Sequence, residues 1–190
     1  MSLHKPMKEI LIFISSTIEE LKQERKAVAD AINQMPYWKA IYAESFPARA
    51  ECSRVVCLEE VRQCHIYIGI FKDKYGYIPK GKNPTCLSAT ALEYQEAIKC
   101  KMPTLIFVYN DKSNREKELA AFLAPLMDFD RGHFVDFFSC EEELVKSIRE
   151  AIQQEVSIGY ITNIAARQRR TINNIYESPY FKNFNKKYLS

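Results

Sequence analysis

A chain of 190 residues amounts to one domain with room for a short appendage. Its 47% hydrophobic and 27% charged residues are an ordinary globular mixture, which excludes a disordered tail protein and a collagen-like chain. The net charge of +3 hides an asymmetry, because residues 157–190 carry +5 and the remainder −2. No apolar run approaches the ~18–20 residues of a membrane span, and Met1 to Glu9 lacks the apolar stretch of a signal peptide. The expectation is a cytoplasmic protein that meets no membrane.

The first element is a strand over residues 10–15, ILIFIS, whose unbroken apolar run suits burial on both faces. A helix is predicted to follow at Ser15-Ser16-Thr17. Ser16 with Glu19 and Thr17 with Glu20 have capping-box spacing, and Ile18, Leu21, Val28, Ala29 and Ile32 form an apolar stripe as far as about Gln34. A short strand, Lys39–Ala43, leads through Glu44-Ser45-Phe46-Pro47-Ala48 to a helix near Ala50–Cys64, with Val55, Leu58 and Val61 inward and Trp38 packed beside the strand. The run His65–Phe71 is the third strand. The segment Lys72–Ser88 after it is far longer than the ~2–6 residues usual in α/β units, which marks it as a binding loop.

A helix over Ala91–Cys100, a strand over Thr104–Tyr109, a helix over Asn114–Leu123 and a strand over Phe134–Phe138 come next. A helix over Glu141–Glu155 closes the domain, with Leu144, Ile148 and Ile152 inward and Glu141-Glu142-Glu143 at the positive end of its dipole. Asp128-Phe129-Asp130 reads as an exposed acidic turn. The alternation implies a three-layer α-β-α domain over residues 1–156. Its five-stranded, mainly parallel sheet takes the order 2-1-3-4-5. Residues 157–190 form a basic C-terminal helical extension. A tail helix at Ile158–Tyr176, with Ile161, Ile164, Ala165, Gln168 and Ile172 on one side, packs on the domain or pairs with a second copy. Its cations are spread too thinly for a nucleic-acid contact to be expected.

In that strand order the chain reverses between the first and third strands, and ligands bind at the carboxyl ends of strands beside such a switch point. The candidate site comprises Ser15, Ser16 and Thr17, the loop Lys72–Ser88 and the start of the following helix. The hydroxyls at Ser15-Ser16-Thr17 either cap a helix or help hold an anion there. No G-x-G-x-x-G or P-loop is present, so neither dinucleotide redox chemistry nor nucleoside triphosphate hydrolysis is expected, and no cofactor is assigned. Cys52, Cys57, Cys64, Cys86, Cys100 and Cys140 contain no C-x-x-C pair and lie in no cluster with His4, His65 or His133, so the expectation is no metal and reduced, mostly buried thiols.

Three stretches carry a family resemblance: IFISSTIEELKQERKAV near the start, YIGIFKDKYGYIP at the end of the third strand, and Ser88-x-Thr90-x-x-Glu93-Tyr94 opening the next helix. Over about residues 8–110 the chain resembles the domain of unknown function 4062 family, whose members commonly stand at the N-terminus of bacterial proteins with STAND-type, NACHT-like ATPase modules. The family is similar in fold to TIR domains and nucleoside 2-deoxyribosyltransferases. That resemblance implies a flavodoxin-like, TIR-like sheet and a nucleotide or NAD-like ligand. It also implies a catalytic carboxylate at Glu93 that works on an N-glycosidic bond. Around it, Tyr75 and Tyr77 would stack on a base or shape the pocket. Ser88 and Thr90 would meet ribose hydroxyls, and Lys72 or Lys74 would balance phosphate. Gly76 serves a positive φ, and Asp73 stands as a positional guess for a second carboxylate. Thr90 and Glu93 also have capping-box spacing, so the carboxylate either acts on a ligand or ties off its own backbone. Two readings follow. The domain is a signalling or defence-type module that binds a nucleotide, or it is a hydrolase or transferase acting on NAD or a nucleoside; either works alone, as a homodimer, or with a separately encoded partner.

Overall fold

The computed structural model describes residues 9–80, 83 and 85–177, with side chains to residue 170. The expected arm over residues 178–190, with Lys182, Lys186 and Lys187, lies outside the described residues. So do Gly81, Lys82 and Pro84 of the long loop. Contacts divide the chain into two compact units at Arg149/Glu150.

Strands β1 (Ile10–Ser15), β2 (Trp38–Ile41), β3 (Ile66–Phe71), β4 (Thr104–Tyr109) and β5 (Asp136–Phe138) form one parallel sheet in the order β2-β1-β3-β4-β5. The helices are α1 (Lys22–Asn33), α2 (Ser53–Gln63), α3 (Ala89–Lys99), α4 (Lys117–Leu126) and α5 (Glu141–Glu177). A 3-10 turn at Ala43–Ser45 follows β2. Strand periodicity sends Phe13, Tyr67, Phe71, Ile106 and Val108 to one face, where they form a core with Val61 of α2, Ala91 and Ala97 of α3, and Leu119, Leu123 and Leu126 of α4. Ile12, Ile14, Ile66, Ile68 and Ile70 point to the other face, the α1 side under right-handed crossovers, where Val28, Ala29 and Ile32 are also buried. Every β3 residue is buried, which explains the unbroken apolar run.

The starts of α1 to α4, at the carboxyl edge of the sheet, depart from expectation, whereas α5 starts at Glu141 as expected. α1 starts at Lys22, several residues after Thr17, and its N-cap Leu21 makes no side-chain cap. The capping box at Thr17 does not form: Thr17 Oγ1 donates to Glu20 Oε2 at 2.9 Å, and Glu20 accepts the backbone N–H groups of Asp73 and Lys74 at 3.0 and 3.1 Å. Ile18 is accordingly 46% exposed and outside the core. α2 begins at Ser53 with Val56, not Val55, buried beside Val61. α3 starts earlier than expected because Ser88 caps it, accepting from Ala91 N at 3.3 Å. α4 is displaced toward the C-terminus, with Glu116 at its N-cap and Pro125 tolerated in its last turn. β5 is shorter than expected. α5 is assigned as one helix where two were expected, since Val156 and Ser157 supply no breaker and Gly159 has open space around it. Among the cysteines only Cys64 is buried; Cys57 is half-buried, and Cys52, Cys86, Cys100 and Cys140 are exposed, which corrects the expectation of mostly buried thiols.

Candidate functional site

β1 ends at Ser15 and β3 at Phe71, and beyond these ends opens a cleft of about 1350 Å³. Its walls are the turn Ser16–Glu20, the segment from Ala43 to Cys52 between β2 and α2, the first turns of α2, the loop Lys74–Lys80 and the start of α3. This is the edge singled out by the switch between β1 and β3.

Glu93 lies on the floor of the cleft, only 8% exposed. Its position in the second turn of α3 rules out the capping alternative: Ser88 holds the N-cap, and the Glu93 carboxylate turns to the sheet, where Ser15 Oγ donates to Oε2 at 2.5 Å. Burial pushes its pKa up from the ordinary carboxylate value to about 7, against the opposing pull of donors on Ser15 and Cys57 and the charge of Arg25. Cys57, which also lines the cleft, has its thiol pushed up to about 12 by burial first and then by Glu93. It is a protonated donor at neutral pH and a poor nucleophile.

Arg25 organises the opposite wall. Only 2% exposed, its guanidinium donates to the carbonyls of Ser16, Thr17 and Ile18, to Ser16 Oγ at 2.7 Å, and to Glu44, with which it pairs. One side chain therefore ties the β1–α1 turn to the segment after β2. The loop after β3 is clamped from two sides by carboxylates. Glu20 accepts from Asp73 N and Lys74 N, and Glu116 accepts from Tyr75 N at 2.8 Å while pairing with Lys74 at 3.2 Å. Gly76 follows with φ +93°, and a Cβ there would stand 3.0 Å from Thr17 Cγ2, so both conformation and close approach demand glycine.

A family model, domain of unknown function (DUF4062), matches residues 11–153. The chain belongs to the DUF4062 family. No curated protein matches it in sequence. Among solved structures it is similar to the TIR domains of the activated Roq1 resistosome, which directly recognises the pathogen effector XopQ. The identity is 12%, the TM-score 0.52, and 76% of this chain and 99% of that one are covered. It also matches the Clostridium botulinum CMP N-glycosidase BcmB at 12% identity and TM-score 0.46, over 74% of this chain and 98% of that one. The fold is thus TIR-like.

In this DUF4062 chain, Ser16, Thr17, Lys74, Gly76, Tyr77, Thr90 and Glu93 all line the cleft. The other expected site residues stand behind it. Ser15 is spent on Glu93; Ser88 is a fully buried cap. Tyr75 turns its ring into the core against Phe122, 6.0 Å between centroids. Lys72 pairs with Glu24 at 3.5 Å and sits over the Tyr109 ring, and Asp73 is engaged through its backbone by Glu20 and Glu116. Asp128 folds back on its own turn, accepting from Asp130 N and Arg131 N. Arg25, Glu44, Cys57 and the Phe46–Arg49 wall went unrecognised in the sequence. Only Arg25 left a signal there, as a cation at a helical position between Leu21 and Val28 where an apolar residue belongs. Among the described residues no group of three His, Cys, Asp or Glu side chains could hold a metal, and no helix is long and apolar enough to cross a membrane.

Proposed function

We propose that this DUF4062 domain, taken as residues 1–156, binds a nucleotide or NAD-like molecule in the cleft and serves as a signalling or defence-type module. The observation that carries the reading is Glu93, a carboxylate with no capping duty that lies on the floor of a cleft at the switch point. A carboxylate there accepts from ribose hydroxyls, and the exposed Tyr77 ring on the wall offers a stacking surface for a base. The cleft exceeds the ~300–1,000 Å³ of common small-molecule sites, which leaves room for a dinucleotide. Calorimetric titration with NAD, nucleoside monophosphates and nucleosides tests it. Binding that Glu93→Gln weakens supports the reading, and no heat from any of them at millimolar concentration contradicts it.

A second reading, hydrolysis of the N-glycosidic bond, is favoured by one observation: the Glu93 carboxylate is held by Ser15 at the cleft, where burial that pushes its pKa up to about 7 still leaves an ionised fraction at neutral pH. In that reading the C1′–N bond breaks and the base leaves with the bond's electron pair, nicotinamide departing neutral and a nucleoside base taking up a proton; ionised Glu93 stabilises the positive charge on the ribose until water adds to C1′ and gives up a proton. Release of free base from NAD or a nucleoside, abolished in Glu93→Gln, supports it. Binding without release leaves the module.

Residues 157–190 are proposed as a separate extension that pairs two copies, a reading supported by the exposed Ile158 and Ile161. A monomeric mass by light scattering at micromolar concentration contradicts it.

A further inference from the structure

Ser15 was expected to touch a ligand, yet it is 1% exposed and absent from the cleft wall, and its proton is given to Glu93 Oε2. Beside it stands an unusual group. Tyr67 of β3 is fully buried, its ring stacked on Phe13 at 6.2 Å and edge-on to Tyr94 at 6.3 Å, so the ring cannot turn away. Its hydroxyl closes no hydrogen bond of good geometry among the described residues. A phenylalanine would fill that space without stranding a polar atom, and a buried hydroxyl without a partner calls for a reason.

Register supplies one. Phe13 pairs with Tyr67 and Ser15 with Gly69, so Tyr67 and Ser15 share a face of adjacent strands. Ser15 Oγ keeps acceptor lone pairs once its proton has gone to Glu93. Burial first and then Glu93 oppose ionisation of the Tyr67 hydroxyl, and Ser15 eases it. From α2, Cys57 lines the same cleft as Glu93, and its thiol favours the ionised carboxylate.

We propose that Ser15, Tyr67 and Cys57 are positioning residues for Glu93, a buried set of donors that fixes the rotamer of its carboxylate at the cleft floor. Ser15 donates directly to Glu93 and Cys57 acts on it from the side; the Tyr67 hydroxyl, left without a partner in the fold, is the reserve donor that the free lone pairs of Ser15 can accept. A carboxylate held in this way presents a constant geometry to a ribose, which a freely rotating one does not. The inference rests on the proposed ligand site for its purpose, but the arrangement exists without ligand. The other charges that bear on the set are Arg25 from α1, which favours ionised Glu93, Glu60, which acts on Cys57, and Tyr94 of α3, which acts on Tyr67. All three stay in place in the test.

The test is a 13C NMR titration of glutamate carboxyls in the full chain, with the Glu93 resonance assigned by its loss in Glu93→Gln. Wild type is expected to titrate near 7. Ser15→Ala loses a charge-assisted donor and is expected to raise the midpoint by about one pH unit. Cys57→Ala and Tyr67→Phe are expected to raise it by less. A wild-type midpoint in any of the three overturns the set. Amide spectra confirm folding, and if Ser15→Ala does not fold, Ser15→Cys, a weaker donor of similar size, carries the same expectation in smaller measure. No ligand or turnover enters the readout, so its failure is separate from failure of the proposed function, which the binding titration decides.

Discussion

Replacing Arg25 with Met should cost the domain about 3 kcal/mol, out of proportion to any single contact. The guanidinium satisfies the carbonyls of Ser16, Thr17 and Ile18 and the Ser16 hydroxyl, and it pairs with Glu44. A methionine of similar length keeps the packing between Leu21 and Val28 and relieves the buried, unpartnered Nε. It leaves three acceptors, the carbonyls of Ser16 and Ile18 and the Ser16 hydroxyl, without the donor that Arg25 supplies, whereas the Thr17 carbonyl keeps the N–H of Leu21. An unsatisfied buried acceptor costs ~1–3 kcal/mol, and water entering from the cleft side holds each near the lower bound, hence about 3 kcal/mol together. The Glu44 pair adds little, because the Glu44 side chain is 35% exposed and solvent screens it. Urea unfolding followed by far-UV circular dichroism measures the difference, and the expected fall in Tm is roughly 6–12 °C. Glu44→Gln, which loses only the pair, should cost under ~1 kcal/mol, and Arg25→Lys should resemble Met because an ammonium cannot fan across three carbonyls. Arg25→Met within 1 kcal/mol of wild type, or Glu44→Gln as costly as Arg25→Met, refutes the carbonyl argument.

Gly76→Ala should destabilise by about 1–2 kcal/mol, since alanine must adopt φ +93° and meet Thr17, and trimming Thr17 to Ser should recover only the steric part in the same unfolding assay. Glu20→Gln should speed hydrogen exchange at Asp73 and Lys74, whose N–H groups its carboxylate accepts, and leave the β3 amides protected. Folding raises the Glu93 pKa, so its contribution to stability is greatest below the unfolded value of 4.5 and declines as pH rises to about 7. Relative to Glu93→Gln, wild type should lose stability across that window, and parallel pH profiles of the two contradict the burial of the acid.

The sheet was legible because its strands are apolar runs buried on two faces, and their alternation with helices leaves few orders other than 2-1-3-4-5. The start of α5 at Glu141 was legible, but those of α1, α3 and α4 were not, and one physical reason runs through them. Ser16, Thr17, Glu20, Thr90, Glu93 and Glu116 have side chains suited to local capping, but several are spent across the sheet edge: Glu20 on Asp73 and Lys74, Glu116 on Tyr75, Glu93 on Ser15. Local spacing does not reveal a partner dozens of residues away. The same limit hid Cys57 and the wall after β2, which reach the cleft only because β2 and α2 bring them there. Tyr75 misled in the opposite sense. Next to the exposed Tyr77 it looks like a stacking residue, but Glu116 pins its backbone and its ring faces Phe122.

The claim on which the account turns is that a nucleotide-type ligand lies against Glu93. Crystals of the wild-type chain soaked with NAD or with a nucleoside monophosphate test it most directly. The expected result is the ligand, or the ribose left by its turnover, in the cleft with C1′ within about 3–3.5 Å of the Glu93 carboxylate. A ligand held elsewhere, or an empty cleft at saturating concentration, contradicts it.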